Sequence, residues 1–411
     1  MRPLPVDGGW GWPGEVAAGA MLDGLRPGAR VALGGLNHPA TAQLLAAALR
    51  RGLTVVPFNR RLSVPELRRQ HARARADRTL AHPGHPLTGA VACVAVPECF
   101  AGPAAHGPLD GNLVLFTSGT TGEPRAVRLG AAAIRAALVA HVAALALNQA
   151  DTWSLPLPLD HVGGIMGTLR ALVCGCAVTL EATPGPDATG ASLVPTMLAR
   201  LVAAGTPPPP HLRTALTGGG PLDPQLAEAA RRLGWPVRET YGLTEMGSMV
   251  TLDGVPVPGA HLRLDDGRIL VGGAMRCDGY ESDDGLQPAA AWHATGDLGE
   301  LVDGRLRVTG RQAELIVSGG ENVAAPEVEA ALAAHPLVSE VCVVGLPDAA
   351  WGECVAAAVV LRGAIDGDGL AAWLQPRLAG YKRPRRWSFV EALPRTALGK
   401  LQRHLVRGLF T

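Results

Sequence analysis

Apolar and polar residues are grouped along the chain in blocks whose lengths and periods predict its elements. Residues 30–34 form an apolar run of strand length, 41–51 an alanine-rich run of helix length, and 54–58 a second apolar strand. Strand, helix and strand in immediate succession predict a βαβ unit of a mostly parallel sheet. Strands at 113–116 and 177–180 and helices at 131–147, 165–173 and 224–233 continue the alternation. The first three quarters of the chain therefore read as α/β.

The pattern changes over residues 255–308, where short strands are separated by Asp-Gly pairs at Asp253, Asp266 and Asp303, each a hairpin signal. A small β-rich subdomain is expected there. Beyond Gly310, a helix near Pro326 with Glu327 and Glu329, strands at 340–345 and 355–361, and a helix at 369–379 predict a separate α+β unit. The expected organisation is a large N-terminal domain, 1–310, of sheets flanked by helices, and a small mobile C-terminal cap domain, 311–411.

Length and charge narrow the function. A chain of 411 residues has room for two domains. A net charge of +1 leaves no basic footprint for nucleic acid or anionic lipid, which favours small-molecule chemistry. The most apolar run, 131–147, is broken by Arg135 and His141 and is shorter than the roughly 20 residues of a membrane span, so no integral membrane segment is expected. Prolines, glycines and acids near the start oppose a secretory signal. Seven cysteines without a CxxC pair fit reduced, packed thiols. A cytoplasmic protein is expected, with a homodimer left open. Lysine occurs only at Lys382 and Lys400, and a lysine that persists where arginine serves elsewhere is a candidate for work arginine cannot do.

The strand at 113–116 runs into Thr117, Ser118, Gly119, Thr120, Thr121, Gly122, Glu123, Pro124 and Arg125. Glycines that let backbone N–H groups face an anion, several hydroxyls and one cation suit a polyphosphate, although a hydroxyl-rich surface loop has the same composition. The stretch is not GxxxxGK[ST], which argues against an ordinary P-loop fold. It resembles the TSGTTGxPKG loop of the acyl-adenylate-forming (AMP-binding) superfamily, with Arg125-Ala126 in place of the usual Lys-Gly.

Further segments resemble that family in its own order. Thr240 to Glu245 is similar to the YGxTE segment, which implies that Tyr241, beside Gly242, stacks on adenine, Thr244 contacts the α-phosphate and Glu245 binds Mg²⁺. Gly218, Gly219 and Gly220 resemble the glycine strand end beside the adenine and acyl group. Thr295-Gly296-Asp297 and the run from Gly310 and Arg311 to Glu329 imply ribose contacts by Asp297 and Arg311. In that run Ala313 replaces the hinge aspartate, and Ser318, Gly319, Gly320 and Glu321 would line the pantetheine tunnel. The segment 393–403 resembles LPRTxxGKxxR, which makes Lys400 the bridge between substrate carboxylate and α-phosphate. Lys382 matches the GYKxP segment near CoA.

The resemblance implies an ATP-dependent ligase using ATP, Mg²⁺ and coenzyme A, with a carboxylic acid as substrate, and a cap that rotates between half-reactions about 311–314. Between the phosphate loop and the glycine strand, His161 matches the residue that gates the acyl pocket. Arg170, in an otherwise apolar helix, needs a partner if buried, and a second substrate carboxylate would serve. With Ser248 and the Ser192 to Thr196 segment, this combination is most similar to the o-succinylbenzoate:CoA ligase branch of menaquinone biosynthesis, Arg170 and Ser248 holding the aromatic carboxylate. A ligase for benzoate-like acids, and a CoA-independent adenylating or non-catalytic nucleotide-binding relative, are the alternatives.

Overall fold

The computed structural model describes residues 4–6, 9–117, 124–311, 315–318, 321–348, 351–378, 380–395 and 401–410. By packing, the chain separates into two compact units: Met1–Leu262 with Val271–His293, and Arg263–Leu270 with Ala294–Thr411.

The first unit carries two sheets that are parallel at their centres. In the eight-stranded one the order is Gly285–Pro288, Gly279–Ser282, Arg125–Leu129, Asn112–Thr117, Thr54–Pro57, Arg30–Gly34, Arg78–Ala81 and Val94–Ala95. The last five are parallel and the first three join antiparallel. All of Thr54–Pro57 is buried, as a parallel strand covered on both faces should be. The helix Pro39–Arg50 links two of these strands; Pro39 sits in its first turn and the His38 imidazole caps it, accepting from the Ala40 N–H at 3.3 Å. Ala40 to Leu49 are all buried along it.

The seven-stranded sheet runs Ala177–Thr179, Thr152–Ser154, Gly190–Leu193, Thr214–Thr217, Val237–Leu243, Ser248–Leu252 and Val255–Pro256, parallel as far as Val237–Leu243 and antiparallel beyond. The helices Ala131–Ala144 and Val162–Cys174 pack together and on the Ser248–Leu252 strand.

Residues 255–308 are β-rich as expected, and four strands, Ala260–Asp265, Arg268–Gly273, His293–Val302 and Arg305–Arg311, form one small sheet. Gly279–Ser282 instead pairs with Arg125–Leu129, supplying a partner for a strand edge that would otherwise stay open. Residues 263–270 and 294–311 pack with the C-terminal residues, so the division by packing falls ahead of residue 311. The three Asp-Gly turns do form: Asp253, Asp266 and Asp303 lie at φ 50°, 49° and 50°, each followed by a glycine also at positive φ, as type I′ hairpins require.

The second unit contains the sheet ordered Ala260–Asp265, Arg268–Gly273, His293–Val302 and Arg305–Arg311, part of whose strands it shares by chain continuity. Its other sheet runs Glu321–Ala324, Leu315–Ser318, Gly352–Leu361 and Val338–Asp348, with Arg386–Phe389 alongside Gly352–Leu361. Period-two alternation fills both faces of this sheet. Val343, Val355 and Val359 join Val328, Leu332, Leu370 and Leu374, while Cys342, Val344 and Cys354 join Leu393 and Val406. Each fully buried valine or leucine contributes about 1.5–3 kcal/mol. The helix Gly367–Leu374 is capped by Asp366, which accepts from the Gly369 N–H at 2.9 Å, and stops before the expected 379 because Pro376 cannot continue it.

Candidate active site

A distorted hairpin presents Thr244 and Glu245. Its strands Val237–Leu243 and Ser248–Leu252 lose register between Tyr241 and Gly242, and the short 3₁₀ turn Thr244–Met246 joins them. A β-carbon on Gly242 would lie 1.7 Å from the Ser248 carbonyl oxygen, so only glycine lets the strands close. Ser248 itself sits at φ 97°, a backbone strain of the kind that clusters at functional sites. Tyr241, paired with Thr251, is half-buried beside the bulge. Gly218 to Gly220 follow the neighbouring Thr214–Thr217 strand, and a β-carbon on Gly218 would meet the Thr240 side chain at 2.5 Å.

The other sheet reaches the same carboxylate. Tyr280, on Gly279–Ser282, donates its hydroxyl to Glu245 Oε1 at 3.2 Å, and the Arg125 guanidinium lies 3.5 Å from the centre of the Tyr280 ring. Arg125 opens its strand opposite Thr117, whose hydroxyl donates to the Arg125 carbonyl at 3.4 Å. His293 Nδ1 is 3.5 Å from the Tyr280 oxygen. Burial, with the Glu245 charge behind it, raises the phenol well above its ordinary pKa, so the proton stays on Tyr280; burial also lowers the His293 imidazole and favours its neutral form. Ser118, Gly119, Thr120, Thr121 and Gly122 lie outside the described residues.

Arg170 occupies a pocket of another kind. It is 4 % exposed in the Val162–Cys174 helix, with its guanidinium 4.6 Å from the centre of the Trp153 ring. Nη2 makes one long contact, 3.5 Å, to the Ser192 hydroxyl oxygen, which also accepts from Trp153 Nε1 at 2.9 Å. Among the described residues Nε has no partner and no carboxylate forms an ion pair with Arg170. Burial lowers its pKa to about 10, which leaves it charged at neutral pH. Burial, with Arg170 beside it, takes His141 down to about 3, so this imidazole is neutral and bonds the Met249 carbonyl at 3.1 Å. His161 stands at the start of the same helix, half-exposed, its Nε2 3.0 Å from the Asn59 amide rather than capping the helix.

In the second unit Asp297 and Arg311 face each other across the His293–Val302 and Arg305–Arg311 strands, with Nε 3.0 Å from the carboxylate. The Thr295 hydroxyl locks the turn, donating to the Ile269 carbonyl and accepting from the Asp297 N–H, both at 3.0 Å. Lys382 does not stand free: its ammonium donates to both oxygens of Glu327, at 2.7 and 2.8 Å. Ser318 is fully buried, and its hydroxyl has no partner among the described residues. Gly319, Gly320, Ala313 and Lys400 lie outside the described residues.

Models of known families cover both units. The model described as AMP-binding enzyme matches residues 15–281, and that of the AMP-binding enzyme C-terminal domain matches 327–400. The chain belongs to the AMP-binding enzyme family. A 2-succinylbenzoate–CoA ligase from Bacillus velezensis is 34% identical to it over 94% of this chain and 88% of the relative. One from Listeria monocytogenes is 31% identical over 93% and 90%. Among solved structures, o-succinylbenzoate CoA synthetase from Bacillus subtilis in complex with the acyl-adenylate intermediate OSB-AMP matches with a TM-score of 0.82 and 27% identity, covering 96% of this chain and 91% of that one. ATP-bound MatB from Rhodopseudomonas palustris matches at 0.80 and 26%, with 96% and 91% covered.

Several residues of this AMP-binding enzyme were not singled out by its motifs: Tyr280 and His293 around Glu245, Trp153 and His141 around Arg170, and Asn59 beside His161. Tyr280 carried a signal, being one of only three tyrosines in the chain. The cysteines are all free, and burial pushes the Cys176 and Cys277 thiols up to about 12 and about 11, as packed and unreactive groups. No helix among the described residues is long and apolar enough to cross a membrane.

Proposed function

We propose that this enzyme joins o-succinylbenzoate to coenzyme A in two half-reactions, a step of menaquinone biosynthesis. The observation that carries the choice of acid is Arg170: a buried cation over Trp153 with no carboxylate partner among the described residues. A dicarboxylate substrate supplies the missing anion, and the pair is stronger for being out of water. Ser192 Oγ, accepting from both Trp153 and Arg170, keeps its own proton for the ligand. The aromatic carboxylate is thereby held by Arg170 and Ser248, and the succinyl carboxylate is left to react past His161.

In the first half-reaction the succinyl carboxylate attacks the α-phosphorus of ATP, forming acyl-AMP and expelling pyrophosphate. The chemistry asks for positioning and charge neutralisation, not a protein nucleophile. We assign Arg125 and the 117–122 loop to the phosphates, Tyr241 and the glycines 218–220 to the adenine, Asp297 and Arg311 to the ribose, and Lys400 to the developing charge. Glu245 is the residue that would hold Mg²⁺, which when bound neutralises phosphate charge. A single carboxylate fits this ion, which keeps waters and phosphate oxygens as its other ligands, and no cluster of three metal-binding side chains occurs among the described residues. In the second half-reaction the CoA thiol attacks the acyl carbonyl and AMP leaves. We place the hinge that exchanges Lys400 for the 318–321 turn at residues 311–314, with the cap running from there to 411.

The test is pyrophosphate release and thioester formation by purified protein with Mg-ATP, CoA and a panel of o-succinylbenzoate, benzoates and fatty acids, beside Lys400→Ala. Turnover of o-succinylbenzoate that is lost in the variant supports the reading. Preference for a monocarboxylic aryl acid removes the dicarboxylate assignment, and failure to adenylate any acid removes the ligase.

A further inference from the structure

The chain places a phenol between two groups that the proposed function assigns to the phosphates of ATP and their metal. Tyr280 lies 35 residues beyond Glu245 and on the other sheet, yet its hydroxyl donates to Glu245 Oε1 at 3.2 Å while its ring carries the Arg125 guanidinium at 3.5 Å. Backbone contacts hold the arrangement on both sides. The Cys277 N–H donates to the Glu245 carbonyl at 2.7 Å, and Tyr280 is in register with Val127, two residues from Arg125. With the phenol proton given to the carboxylate, the Tyr280 oxygen is left to accept from His293 Nδ1 at 3.5 Å.

We infer that Tyr280 is a positioning residue for the adenylation half-reaction: it fixes one oxygen of Glu245 so that the other faces the metal, and it seats Arg125 against the phosphates. One hydrogen bond fixes a carboxylate's rotation about its last bond, and an aromatic face fixes a guanidinium's plane, so a single side chain sets the aim of an anion and a cation together. The inference rests on the adenylating activity proposed above and is independent of which acid is used. It also assigns the two half-reactions different needs. Thioester formation starts after pyrophosphate has left, so it does not require an aimed metal carboxylate.

The experiment compares the full-length enzyme with Tyr280→Phe and Tyr280→Leu. Mn²⁺ is titrated with α,β-methylene-ATP present and followed by electron paramagnetic resonance, a reading of metal binding that needs no turnover. Adenylation is measured as pyrophosphate release, and thioester formation is measured separately from supplied acyl-AMP and CoA. Loss of a hydrogen bond to a charged group predicts a roughly 10- to 100-fold weaker Mn²⁺ affinity and slower adenylation in Tyr280→Phe. Thioester formation should stay within about twofold of wild type, since it lacks the interaction that was removed. Tyr280→Leu, which also removes the ring beneath Arg125, should lose more in adenylation. Unchanged Mn²⁺ affinity and adenylation in Tyr280→Phe, or equal losses in both half-reactions, would overturn the inference. A wild-type enzyme that releases no pyrophosphate with any acid would instead overturn the proposed function.

Discussion

Arg50, paired with the buried Glu15, and the buried Arg170 both lie in the first unit, and their surroundings differ. Arg50 donates through Nε to Glu15 at 2.9 Å and through its other nitrogens to the carbonyls of Gly107 and Trp10, while Glu15 also accepts from the Trp12 N–H. Every part of that guanidinium is answered by the chain. Arg170 has an aromatic face and one long hydroxyl contact. A buried charge is stable when paired and expensive when left alone, so the first arrangement serves the fold, whereas the second has no carboxylate to answer it among the described residues.

The largest effect should come from breaking the complete pair. Glu15→Ala strands Arg50 and is expected to cost about 3–5 kcal/mol in urea denaturation; a loss under about 1 kcal/mol would mean the carbonyls suffice. Arg170→Leu should do the opposite, leaving stability unchanged or improved while lowering kcat/KM for o-succinylbenzoate about 100-fold, or about 2.7 kcal/mol, with benzoates unaffected. A large loss of stability in that variant would erase the contrast.

His141 tests the same pocket through pH. Its folded pKa, about 3, lies below the ordinary 6.5 because of burial first and Arg170 second. Well above pH 6.5 neither state is protonated and stability is unaffected; as pH falls through that value the unfolded chain takes a proton the folded chain refuses. About 1.4 kcal/mol should be lost between pH 7.5 and 5.5, measured by denaturation. His141→Gln should lack this slope, and Arg170→Leu should keep most of it, because burial is the larger cause. The smallest effect belongs to a surface pair: Lys382→Ala releases Glu327 and should cost under about 1 kcal/mol in thermal denaturation. A raised KM for CoA in that variant would give Lys382 a second duty beyond the pair.

The elements were legible where periodicity was local. The Arg30–Gly34 strand, the Pro39–Arg50 helix and the three Asp-Gly turns follow from residues close together in sequence. The positions of Asp297 and Arg311 were legible as motif residues, although their meeting across two strands needed the register. What could not be read was contact between distant segments. Nothing near Glu245 announces Tyr280, and nothing near Arg170 announces Trp153, because packing of one sheet against the other and of a helix against a sheet brings them together. The strain at Ser248 was equally hidden, since positive φ is signalled by glycine and Ser248 is not one.

That serine has a consequence for anyone who engineers this enzyme. At φ 97° a side chain costs on the order of 1–3 kcal/mol that glycine avoids. A library screened for heat resistance alone will therefore drift toward Ser248→Gly and lose a hydroxyl assigned to the substrate. Durability and turnover pull this codon in opposite directions, so variants must be scored on both.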